Sequence, residues 1–93
     1  MQAHFQKERA LGYQQLATLT TATGLTVPAG TTMIRIIAES QAVRWRDDGT
    51  NPTATVGQPL AVGVEMIYTA DSAGKLKFIE QTAGGKLNVT YYG

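Results

Sequence analysis

The chain has no cysteine. Disulfide staples, zinc–thiolate sites and cysteine nucleophiles are thereby excluded. Its one histidine, His4, rules out metal ligation by a histidine pair and sits in the loose N-terminal stretch, where an oriented general base is not expected. Charge is scarce: 16% of residues, against a usual ~25%, and eight basic and seven acidic side chains leave +1. That balance builds no whole-chain field for nucleic acid. No run of 18 apolar residues is present, so no spanning helix is expected. The start, Met1-Gln2-Ala3-His4-Phe5-Gln6-Lys7-Glu8-Arg9, lacks the apolar stretch of a signal peptide. The chain is therefore expected to stay in a cytoplasm, or to be packed into something assembled there.

Ninety-three residues hold one domain with a thin core, since a chain of this size buries only roughly 64% of its open surface. Small unstapled chains often gain stability from partner subunits, so a homo-oligomer is expected. Thirteen threonines and ten glycines take the place of charge. Threonine suits pleated surfaces and glycine suits tight turns, and both point to β-structure.

Residues 1–13 stand apart, rich in glutamine and charge with scattered apolar residues. They read as an N-terminal arm ahead of a single domain over 14–93. A helix over 5–17 fits most of the residue types, but Gly12 lies inside it and no capping side chain starts it. From Gln15 the pattern has period 2, with Leu16, Thr18 and Thr20 alternating with Ala17, Leu19 and Thr21. Turns are expected at 23–26 and 27–30. Residues 32–38 are apolar on both faces and read as a central strand. In the next strand Arg44 and Arg46 share one face, Val43 and Trp45 the other. Residues 47–53, Asp-Asp-Gly-Thr-Asn-Pro-Thr, form the strongest loop signal, and 55–60 reads as an extended connection. Further strands are expected over 64–69, 75–79 and 86–91. Gly74-Lys75-Leu76 and Gly85-Lys86-Leu87 each suggest a hairpin turn. Six or seven short strands make the fold class all-β: a small antiparallel sandwich or barrel with an N-terminal arm.

Little in this pattern carries chemistry. Asp47-Asp48-Gly49 lacks the ligand spacing of a calcium loop and reads as a turn. Adjacent aspartates on an extended chain point opposite ways, which disfavours a carboxylate pair. No phosphate-cradling glycine loop precedes a helix. No enzyme, cofactor or metal is expected. Trp45 is expected to fill the core, with the flanking arginines on the opposite surface, paired with Asp47 or Asp48 or meeting a partner.

Residues 42–60, from Ala42-Val43-Arg44-Trp45-Arg46-Asp47-Asp48-Gly49-Thr50-Asn51-Pro52 to Gln58-Pro59-Leu60, resemble a segment of small structural proteins of tailed bacteriophages. The flanks agree: Thr23-Gly24-Leu25-Thr26-Val27-Pro28-Ala29-Gly30-Thr31 resembles their opening turn, and residues 78–92 resemble their closing hairpin. The resemblance implies a β-rich virion component without catalysis, with the segment from Arg44 to Pro52 as a surface to test. On that basis the expected function is capsid decoration or cementing by a homo-oligomer, a trimer favoured, clamping the major capsid protein or another virion protein. Partner contacts are expected from Phe5, Tyr13, Arg44, Arg46, Asp47, Asp48 and Asn51. Neither a membrane nor nucleic acid is an expected partner. Open beside it stand a head–tail joining or tail component, and a carbohydrate- or receptor-binding module stacking ligand on Trp45, Tyr68, Tyr91 and Tyr92.

Overall fold

The computed structural model describes residues 9–69 and 71–93. In these the chain forms eight strands: β1 (Ala10–Leu16), β2 (Thr23–Gly24), β3 (Met33–Glu39), β4 (Val43–Arg46), β5 (Gln58–Leu60), β6 (Glu65–Tyr68), β7 (Lys77–Glu80) and β8 (Lys86–Tyr92). A 3-10 turn, Asp71–Lys75, leads into β7. The strands pair antiparallel in two four-stranded sheets, ordered β1-β8-β3-β6 and β2-β7-β4-β5. The sheets pack face to face as a sandwich and do not close into a barrel.

Alternation places the core. Ile34, Ile36 and Ala38 of β3 and Leu87, Val89 and Tyr91 of β8 point inward from the first sheet. Val43 of β4 and Phe78 of β7 meet them from the second, with Leu76 and Leu19 from connecting segments. Nine large side chains, Tyr91 and Phe78 the biggest, are under 2% exposed. Burying each such apolar side chain contributes about 1.5–3 kcal/mol, before the entropy of ordering is subtracted. The outward face of β3 carries Met33, Arg35 and Ile37, only half-buried or exposed. The two-faced apolar pattern thus marked a central strand whose outer side no second layer of the described residues covers.

Several expectations are corrected. The first strand runs from Ala10 rather than from Gln15, in register with β8 from Ala10↔Tyr92 to Leu16↔Leu87. Positions 10–13 therefore belong to the sheet and not to an arm, and no helix forms over 10–16. The partner strand overrides local helix propensity, and a bulge between Ala10 and Gly12 takes up the glycine. Strand structure ends at Leu16, because Leu16 and Leu19 both turn towards the core, which one alternating strand cannot do. The turn expected at 23–26 contains β2, and the connection expected over 55–60 contains β5.

The last correction is topological. β7 lies in one sheet and β8 in the other, so the turn between them crosses the sandwich and closes no hairpin. The Gly74 turn likewise carries the chain from β6 in the first sheet to β7 in the second. Among the eight strands, only β4 and β5 are consecutive both in sequence and in a sheet. The loop that joins them, residues 47–57, contains the loop expected over 47–53.

Candidate functional site

The β4–β5 loop is held by side chains from the strand that launches it. Arg44, on the outward face of β4, donates from Nη1 to the Gly57 carbonyl (2.9 Å) and from Nε to the Ala54 carbonyl (3.2 Å). One guanidinium thus ties down the returning limb of the loop. Arg46, two residues on and on the same face, forks onto Asp48: Nε to Oδ1 at 3.0 Å and Nη2 to Oδ2 at 2.6 Å. The same Oδ1 accepts the Thr50 N–H at 3.3 Å, closing an Asx turn. These contacts hold the Asp48 carboxyl down at about 2, with the Arg46 hydrogen bonds the largest cause.

Asp47 points the other way, as neighbouring residues on an extended chain do. Its Oδ2 accepts a 2.7 Å hydrogen bond from the Tyr68 phenol. With that proton committed to Asp47, Ser72 Oγ is the donor in its 2.6 Å contact with the Tyr68 oxygen. Burial pushes the phenol above its ordinary pKa, and the Asp47 carboxylate adds to the rise. Trp45, half-buried against the core, meets the Tyr68 ring edge-on with centroids 6.4 Å apart.

At the loop tip, Thr53 and Val56 exchange backbone hydrogen bonds of 2.9 and 3.2 Å, a tight reverse turn. Pro52 is buried beneath it. Gly57 permits the close return: its φ is +142°, and a Cβ there would stand 3.1 Å from the Trp45 carbonyl and 3.2 Å from Pro52 Cβ. Val56 is left 52% exposed at the tip. Between loop and strand lies a cleft of about 530 Å³, lined by Trp45, Arg46, Asp47, Asp48, Val56, Gly57 and Gln58.

Five of the expected contact residues, Arg44, Arg46, Asp47, Asp48 and Asn51, are gathered in this one loop system. Four of them are engaged within the protein as braces; Asn51 is exposed. Tyr13 lies elsewhere, 62% exposed on the outer face of the other sheet, where it donates to Asn88 Oδ1. Phe5 lies outside the described residues, as does His4. Comparison with known proteins adds no relative. No protein family, no curated protein and no solved structure matches this chain.

The proposed stacking platform does not assemble. Tyr91 and Tyr68 are core residues, 1% and 7% exposed, and Tyr92 belongs to the outward face of β8. Alternation sends Tyr91 and Tyr92 to opposite sides of their sheet. Among the described residues, no three histidine or acidic side chains are placed to hold a metal ion, and no helix is long and apolar enough to cross a membrane. Sequence reasoning missed Ser72 and Gly57 as parts of the loop system. Pro52 was legible as a loop residue and Gly57 as part of an extended connection, but nothing in sequence tied either to Arg44 or Trp45.

Proposed function

We propose that this chain is a non-enzymatic virion structural protein of a tailed bacteriophage, acting as a homo-oligomeric capsid decoration or cement protein. The observation that carries the reading is the braced loop over 47–57. Three side chains and a tight turn fix its shape before any partner arrives, while Asn51, Thr53, Thr55 and Val56 face solvent. A surface ordered in advance loses little entropy on docking. Many copies on one lattice then add modest contacts into firm attachment, and binding only the assembled shell stabilises that shell by linkage. The resemblance over residues 42–60 supports the same reading.

The test is cosedimentation with empty expanded capsids of the virus that encodes the chain. Wild type should pellet with capsids, and Val56→Asp, at an exposed tip, should remain in the supernatant while keeping its fold. Wild type that ignores capsids sinks the proposal. A label confined to one vertex in electron micrographs would place the chain at the head–tail joint instead.

A carbohydrate-binding role has one observation in its favour, the cleft beside the half-buried Trp45 with Gln58 and the Arg46–Asp48 pair on its rim. Aromatic faces with planar polar groups suit sugars. Glycan-array binding lost in Trp45→Ala and kept in Tyr92→Ala would favour it.

A further inference from the structure

Four strands end the two sheets, and three of those edges are short. β2 has two residues, β5 three and β6 four. β5 also carries Pro59, which has no ladder donor, and β6 opens on Glu65, paired with Arg35. β1 differs: it has seven residues, Ala10–Leu16, with neither charge nor proline. Among the described residues its backbone pairs with β8 alone, so its other side is an open row of donors and acceptors. Proteins blunt such rows with lysine, proline, bulges or a cover. Here the bulge lies at the N-terminal end, and residues 12–16 remain regular.

The side chains of Tyr13, Gln14 and Gln15 are all engaged within the protein. Tyr13 and Gln15 both reach back across the outer face to Asn88 Oδ1. Gln14, facing inward, accepts from Tyr91 and from the Thr26 N–H.

We propose that β1 is a homodimer edge, with residues 12–16 of two copies paired antiparallel about a two-fold at Gln14. Two four-stranded sheets then become one of eight strands. Facing requires the two-fold to pass through a residue, and Gln14 is the one that pairs the whole regular stretch 12–16. Inward Gly12 and Leu16 must oppose inward residues, and outward Tyr13 and Gln15 must oppose outward ones; a two-fold at Gln14 satisfies both. The paired stretch carries no charge, so copies meet without like-charge repulsion. Main-chain hydrogen bonds supply the attraction, as in strand addition, and one surface serves both copies, as a closed two-fold requires. This deepens the homo-oligomer proposed above and replaces three-fold with two-fold contact along this edge.

The absence of native cysteine makes single cysteines clean reporters. Tyr13→Cys mixed with Gln15→Cys should oxidise to a covalent dimer. Each variant alone should give roughly ten-fold less, because identical residues then sit on the diagonal, about 7–8 Å apart. Light scattering should return twice the chain mass for wild type and the single-chain mass for Tyr13→Lys/Gln15→Lys. Should that double variant unfold, the cysteine mixing still decides. A monomeric or purely trimeric wild type, or equal cross-linking in mixed and single samples, overturns the proposal. Both measurements are made without capsids, so their failure is distinct from failure of the decoration reading.

Discussion

The Tyr68 phenol, at the end of edge strand β6, donates a 2.7 Å hydrogen bond to Asp47, the first loop residue after β4. One contact therefore joins the rim of one sheet to the loop emerging from the other. Around it, Trp45 packs edge-on and Ser72 supplies the second hydrogen bond. The loop is thereby coupled to the sandwich as well as to its own strand.

Tyr68→Phe should test that coupling. It leaves the Asp47 carboxylate and the Ser72 hydroxyl without their shared partner, a loss of about 1–3 kcal/mol. For a domain of this size each kcal/mol lowers the melting temperature by about 4–8 °C. Denaturant unfolding followed by Trp45 fluorescence reads both the loss and the local change. Unaltered stability would mean that water replaces the bond at no cost.

Arg44→Met keeps the aliphatic stem on the sheet and removes both guanidinium contacts to the loop. The Ala54 and Gly57 carbonyls then turn to solvent, so global stability should fall by only about 1 kcal/mol. Amide exchange at 53–57 should quicken much more than exchange in β3 or β8, because the loop opens locally. Equal acceleration in both places would show that loop and core unfold together.

The Arg46–Asp48 pair makes a prediction about acid. The Arg46 fork holds the Asp48 carboxyl down to about 2 in the folded protein, against about 3.9 for a free aspartate. Its stabilising contribution is complete above the free value and disappears as pH falls towards 2. Carboxyl chemical shifts should show that low midpoint, and Arg46→Gln should return it towards the ordinary range. A wild-type midpoint near the ordinary range would show that the fork does not persist in solution.

Tyr91 makes the opposite prediction at the alkaline end. Burial pushes its phenol up to about 12, with the Thr26 backbone hydrogen bond opposing. The unfolded phenol releases its proton near about 10. Between those values the unfolded state binds fewer protons, so stability falls as pH rises. Tyr91→Phe should lose about 1 kcal/mol at neutral pH, with its bond to Gln14, and should show a shallower alkaline decline. Parallel alkaline slopes for both proteins would assign the decline elsewhere.

Much of this sandwich is legible in composition and alternation. Ile34 and Ile36, Leu87, Val89 and Tyr91, and Leu76 with Phe78 all declare their inward faces by period 2, because a pleated strand sends alternate side chains to opposite sides. The split of Asp47 from Asp48 follows from the same geometry. The β4–β5 loop declares itself through Gly49, Asn51 and Pro52, whose backbone preferences resist strand and helix alike.

Which sheet each strand joins is not written in that pattern. Residues 10–16 look like a tolerable helix until β8 offers a partner, and the Gly74 and Gly85 turns look like hairpins although both cross the sandwich. Local residues specify a turn and a facing; the pairing partner is chosen by long-range burial, which a linear pattern does not encode. The same holds for the loop braces. Alternation put Arg44 and Arg46 on one face and Trp45 on the other, and said nothing of where Tyr68 would stand. Only the folded chain brought Gly57, Ser72 and Asp47 within hydrogen-bonding reach of them, because those contacts join segments that meet when both sheets close on one interior.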